Sequence, residues 1–123
     1  MMDKTKYTIQ EACSVLNCKP TTLRSMLRLG YVPRVRRDKH GYRILEPWQV
    51  DLLNVLLHMK RSGCSAKQIR RYARLARDGR KTEKERLSIL TTRKHQLMNL
   101  VEEYMKIIEF IELQEELAEQ KRT

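Results

Sequence analysis

The sequence predicts a mainly α-helical protein with one small β-hairpin and one very long C-terminal helix. Three observations carry this expectation. Ser/Thr-x-x-Glu/Gln strings, which cap helix starts reciprocally, stand at Thr8–Glu11, Ser65–Gln68 and Thr82–Glu85. The few glycines and prolines fall where boundaries are wanted, and none occurs after Gly79. Between residues 35 and 45, two short β-prone flanks enclose the turn Asp38-Lys39-His40-Gly41.

Taken in order, the first helix starts at Thr8, with Tyr7 placed to staple its entry. The second opens at Lys19-Pro20-Thr21, where proline suits the first turn, and stops at Gly30 with Pro33 beyond. Val35-Arg36-Arg37 and Tyr42-Arg43-Ile44-Leu45 then form a two-stranded hairpin. A lone hairpin is marginal in water, so Val35, Ile44 and Leu45 must anchor it. Pro47 opens a third helix through Trp48, Val50, Leu52, Leu53, Leu56 and Leu57, closing before Gly63. In the fourth, Ile69, Tyr72, Ala73 and Ala76 lie at i, i+3, i+4 and i+7 and mark one buried face. From Thr82 the last helix carries a heptad seam: Leu87, Leu90, Lys94, Leu97, Val101, Tyr104, Ile108, Ile111, Glu115 and Ala118. Leu100 and Ile107 widen it. A lone exposed helix cannot hide such a stripe, so self-association through this seam is expected. The expected division is a winged helix-turn-helix domain over 1–77, a linker over 78–82 and a coiled-coil dimerisation helix over 83–123.

Charge is distributed as unevenly as the elements. The chain of 123 residues has a formal net charge of +11. Residues 1–81 contain 19 Lys/Arg against 6 Asp/Glu, and residues 82–123 contain 7 against 9. The excess of +13 on the N-terminal part and −2 on the remainder is the footprint of a polyanion-binding head. No segment combines a basic face with a large exposed apolar face, which argues against a membrane surface. No run is long enough to span a bilayer and the start lacks a signal-peptide core, so a cytoplasmic protein is expected.

A two-helix unit with polar and basic residues at the start of its second helix is how a protein offers a helix to the DNA major groove. Lys19, Thr21, Thr22 and Arg24 lie at that start, and Arg28 one turn further on. In the wing, Arg36, Arg37, His40, Tyr42 and Arg43 would flank the neighbouring backbone. Lys60, Arg61 and Lys67, around the turn between the third and fourth helices, complete the candidate contacts to double-stranded DNA. Cys13, Cys18 and Cys64 are odd in number and read as reduced thiols. With His40, His58 and His95 scattered over different elements, neither a metal site nor a cofactor is expected. No acid, base and nucleophile assemble into a catalytic constellation, so an enzyme is not expected.

Several strings resemble the MerR family of bacterial transcription regulators. They are Tyr7-Thr8-Ile9-Gln10-Glu11-Ala12, Pro20-Thr21-Thr22-Leu23-Arg24, Gly30-Tyr31-Val32-Pro33, Gly41-Tyr42-Arg43 and Ser62-Gly63-Cys64-Ser65-Ala66-Lys67-Gln68-Ile69, ahead of a long C-terminal helix. The string Asp78-Gly79-Arg80-Lys81-Thr82 with Glu85-Arg86-Leu87 is similar to the thiol- and aldehyde-responsive subgroup. The resemblance implies a homodimer with antiparallel long helices, carrying two winged heads on a pseudo-palindromic operator. It also implies bending and untwisting of promoter DNA for RNA polymerase, and commonly a small effector, whose identity the residues do not give. The chain departs from the family pattern in three places. Ser25, Met26 and Leu27 stand where two aromatics and an acid are common. Lys19 replaces a capping Ser/Thr, which weakens that helix start by about 1 kcal/mol. The subgroup's cysteine falls at His58, and no cysteine follows Cys64. Two other readings stand beside DNA binding: a basic helical module for RNA or an acidic protein, and a thiol sensor using Cys64.

Overall fold

The computed structural model describes residues 5–122. The chain divides into two compact units, Met1–Ile89 and Leu90–Thr123. The elements run β1 (Tyr7–Thr8), α1 (Ile9–Leu16), α2 (Pro20–Arg28), β2 (Arg36–Arg37), β3 (Arg43–Leu45), α3 (Pro47–Arg61), α4 (Ala66–Ala76), a 3-10 turn (Gly79–Thr82) and α5 (Glu83–Arg122). The mainly α fold with a winged helix-turn-helix head and a long final helix is thus the one expected from sequence.

Local signals account for most helix ends. The Thr8 hydroxyl accepts from Glu11 N at 3.1 Å, while the Glu11 carboxylate accepts from Thr8 N at 3.0 Å. Ser65 and Gln68 repeat the arrangement at α4. Lys19 gives α2 no side-chain cap, as its chemistry requires. The α1–α2 turn is closed by Asn17 in the left-handed region at φ 51, a conformation that Asn tolerates better than most residues. Gly30, at φ 77, ends α2 in the same region.

Two expectations are corrected. Tyr7 is a strand residue and not only a staple: it pairs antiparallel with Leu45, and Thr8 pairs with Ile44. The wing is therefore the outer part of a three-stranded sheet ordered β1-β3-β2, which solves the instability of an isolated hairpin. Second, Thr82 does not cap α5. Its hydroxyl donates to the Leu75 and Gly79 carbonyls and accepts from Arg86 Nε, and Glu85 pairs with Arg71 at 2.6 Å. The long helix grows out of a 3-10 turn that had no separate signal in the sequence. The third helix starts at Pro47 as expected, and it carries a capping box besides: Gln49 Oε1 accepts from Glu46 N at 2.8 Å.

The core of the head gathers Leu23 and Met26 of α2, Leu45 of β3, Leu53, Leu56 and Leu57 of α3, and Ile69, Tyr72 and Ala73 of α4. Among these apolar groups sits Gln49, 1% exposed. Its Nε2 donates to the Pro33 carbonyl at 2.9 Å, fastening the segment ahead of the wing to α3. In the second unit, every described residue from Val101 onward is exposed, including the seam residues Tyr104, Ile107, Ile108 and Ile111. Among the described residues no helix is long and apolar enough to cross a membrane.

Replacing Gln49 by leucine keeps the volume but strands the Pro33 carbonyl and the Glu46 amide. Unsatisfied buried groups cost about 1–3 kcal/mol each, so urea denaturation should show a loss of at least about 2 kcal/mol. Thr8→Ala, which removes only a cap, should lose about 1 kcal/mol.

Candidate nucleic-acid interface

Pairing β1 with β3 brings the start of α1, the start of α2 and the wing to one side of the head. A cleft of about 500 Å³ lies between them, lined by Gln10, Pro20, Arg24, Arg37, Tyr42 and Arg43 among others. Arg24 from α2 and Arg43 from the wing, far apart in sequence, thus face the same space. Thr21 and Arg24 are exposed and Thr22 is half-buried, while Leu23 turns into the core. Arg28 is exposed on the last turn of α2 and does not line the cleft.

The wing turn is held by its own polar groups. Asp38 Oδ1 accepts from His40 N at 2.9 Å and Tyr42 N at 3.0 Å, and Gly41 closes the turn at φ 84. Arg37 donates to the Gly41 carbonyl at 2.7 Å, so part of its fork braces the turn. Arg36 is exposed on the outer strand, opposite Ile44. Tyr42 is 72% exposed, so its ring is displayed and does not pack the hairpin.

A second basic group forms at the α1–α2 turn, where Lys19, Thr22, Lys60 and Arg61 line one shallow depression. Arg61 donates to the Asn17 carbonyl at 2.8 Å and spans the end of α3 to the turn before the recognition helix. Lys67 is exposed at the start of α4 and lines neither depression. Arg77 ties the end of α4 to the Gly30 carbonyl at 2.6 Å, fixing where α2 stops. Gln10 was missed by the sequence reading. Its only signal was an exposed position on α1, and that becomes meaningful once β1 joins the wing.

The cysteines behave differently from one another. Cys13 is buried, and desolvation, reinforced by the neighbouring Cys18, pushes its thiol up to about 11. Cys64 is half-buried, its Sγ 3.6 Å from Ser62 Oγ.

Comparison with known proteins agrees with this geometry. The family model described as MerR HTH family regulatory protein matches residues 7–76. A relative from Haemophilus influenzae, an uncharacterized HTH-type transcriptional regulator, is 28% identical over 106 residues, spanning 86% of this chain and 78% of its own. Among solved structures, HiNmlR, a MerR family regulator lacking the sensor domain and bound to promoter DNA, aligns with a TM-score of 0.75. It is 28% identical, covering 85% of this chain and 79% of its own. A MerR family regulator from Bacillus thuringiensis, 20% identical, shares the fold with a TM-score of 0.75 over 89% of this chain and 96% of its own.

Two measurements check the interface and the thiol. Arg24→Ala and Arg43→Ala should each weaken duplex binding by about 1–3 kcal/mol in gel shifts, whereas Lys19→Ala should lower the salt slope by about 1. For Cys13, a raised native pKa means the folded protein holds the proton more tightly than the unfolded chain. Its contribution to stability is complete below pH 9.0 and is lost as pH rises toward about 11. A Cys13→Ala variant should therefore show a flatter fall of the urea midpoint across that window than the parent.

Proposed function

The chain belongs to the MerR family of helix-turn-helix regulatory proteins, and on that premise we propose a sequence-specific DNA-binding regulator of transcription that works as a homodimer. One observation carries the DNA face: Arg24 of the recognition helix and Arg43 of the wing converge on one cleft. In this reading Thr21, Thr22 and Arg24 enter the major groove. The wing residues Arg36, Arg37, His40, Tyr42 and Arg43 follow the adjacent backbone, and Lys19, Arg28, Lys60, Arg61 and Lys67 supply sequence-independent phosphate contacts. Arg61 would meet phosphate with whatever donors its bonds to the Asn17 and Leu16 carbonyls leave open.

The dimer rests on the exposed seam of α5. Leu87, Val101, Tyr104, Ile107, Ile108 and Ile111 are each more than half exposed in the single chain, and Leu100 is 38% exposed. Leu90 and Leu97 are partly covered. Pairing two such helices buries the stripe and sets two heads on a pseudo-palindromic promoter operator, which the dimer distorts for RNA polymerase. The related HiNmlR is a structure with promoter DNA, which supports this choice of ligand over RNA or an acidic protein. The reading places the protein in the cytoplasm and assigns it no chemical step.

Sedimentation equilibrium should give a dimer, and Ile108→Glu should shift it to monomer. The same substitution should weaken binding to an inverted-repeat duplex at least about tenfold while leaving single-site contacts intact, because the effective concentration of the second head is lost. A monomeric parent, or equal affinity for operator and random duplex at physiological salt, would overturn the proposal.

A further inference from the structure

A second cleft, of about 520 Å³, is bounded by α3, α4, the 3-10 turn and the start of α5. It shares no lining residue with the cleft between α2 and the wing. Its volume lies within the range of small-molecule sites, and its lining is chemically two-sided. The indole of Trp48, 41% exposed, contributes apolar surface and the core residue Tyr72 only a margin of its ring, whereas four arginines face a single carboxylate, Asp51.

The arginines are not equivalent. Arg77 is taken up by the Gly30 carbonyl. Arg86 donates to Thr82 Oγ1 and the Gly79 carbonyl, and its guanidinium lies 5.9 Å from the centroid of Tyr72. Arg34 and Arg80 differ, since no hydrogen bond or ion pair engages their guanidinium groups among the described residues. Arg34 also has a φ of 61, a region that non-glycine side chains rarely adopt. In that conformation its guanidinium lies 5.7 Å from the Trp48 ring centroid, an arrangement that leaves the edge of the fork open for a planar anion.

We propose that this cleft binds a small aromatic carboxylic acid, with its ring against Trp48 and its carboxylate on Arg34 and Arg80. Inorganic phosphate would leave the indole unused, and a neutral arene would leave the arginines unused. A duplex is served by the cleft on the other set of elements. The ligand joins the segment ahead of the wing, through Arg34, to the root of α5, through Arg80. The assignment stands apart from DNA binding, because it can be measured without any duplex.

The test uses the full chain. Calorimetry with 2-naphthoate should give saturable binding at one site per chain. Benzoate should quench the fluorescence of Trp48, the single tryptophan of the sequence. Neutral 2-naphthamide and acetate should each bind at least about tenfold more weakly than 2-naphthoate, and Arg34→Gln and Arg80→Gln should each weaken the acid to a similar degree. Neither variant removes a side-chain hydrogen bond, and circular dichroism should show the parent's helix content. Absence of saturable 2-naphthoate binding at millimolar acid, equal binding of the amide, or unchanged affinity in both variants would overturn the proposal. So would shielding of Trp48 from acrylamide in the free protein, which would mean a second copy fills the cleft. A loss of duplex affinity of about tenfold in Arg34→Gln and Arg80→Gln, with 2-naphthoate binding retained, would reassign these arginines to phosphate.

Discussion

The buried amide of Gln49 is the constraint on which the functional surfaces of the head depend. A primary amide placed among leucines is tolerated only if its donors and acceptors are satisfied. Here one end takes the Glu46 amide and the other gives to the Pro33 carbonyl. The first bond sets the start of α3 and the second sets where the chain leaves Pro33. That exit point governs two neighbours at once: Arg34, whose left-handed backbone carries its guanidinium over Trp48, and the β2 strand of the wing. A purely apolar residue at position 49 would fill the same space without specifying either.

The same economy appears in the arginines. Arg37, Arg61, Arg77 and Arg86 each donate to a backbone carbonyl. Each of those carbonyls lies at a turn or helix end, where backbone acceptors lack intrahelical partners. A guanidinium is suited to the task because it spans several ångströms, stays charged and has several donors in a fixed fork. Some of the positive excess is thus scaffold. Of the basic residues in the proposed interface, Lys19, Arg24, Arg28, Arg36, Arg43, Lys60 and Lys67 enter no side-chain hydrogen bond or ion pair among the described residues. Counting Lys and Arg along the sequence therefore overstates the charge available to the proposed interface.

The sequence was most legible where structure is local. The caps at Thr8 and Ser65, the proline at the start of α2, the end at Gly30 and the buried face of α4 all follow from residues within one or two turns. It was least legible where distant segments meet. Strand β1 is two residues long and has no β signature of its own; it exists because Leu45 and Ile44 offer it an edge. The capping pattern at Thr82–Glu85 misled because the Thr82 hydroxyl turns to the Leu75 and Gly79 carbonyls and accepts from Arg86 Nε, while Glu85 is drawn to Arg71. The cleft between α2 and the wing was half legible: the sequence pointed to Arg24 and Arg43 separately, but their convergence, and the presence of Gln10 beside them, required the β1–β3 pairing. The second cleft left no trace, since Arg34, Trp48 and Tyr72 are scattered over three elements.

For the proposed dimer, α5 restricts the geometry further than its apolar stripe alone. Burying a large aliphatic side chain contributes roughly 1.5–3 kcal/mol. Leu97, Val101, Ile108 and Ile111 from each copy, with the ring of Tyr104, supply burial on the scale of an association cost of about 4–15 kcal/mol. The antiparallel direction that the family resemblance implies agrees with the charges. Parallel pairing would set Lys94 against its own copy and Glu115 against its own copy at seam positions, and like charges in a partly desolvated seam repel. Antiparallel pairing carries the Glu115 end of one helix toward the Lys94 end of the other. The flanking charge agrees: residues 102–119 contain seven glutamates and one lysine, whereas residues 83–101 contain four Lys/Arg against two glutamates. Reversing one helix lays the acidic half of each along the basic half of the other. For the proposed dimer the antiparallel sense is favoured by these charges, and parallel pairing is opposed at both of its charged layers.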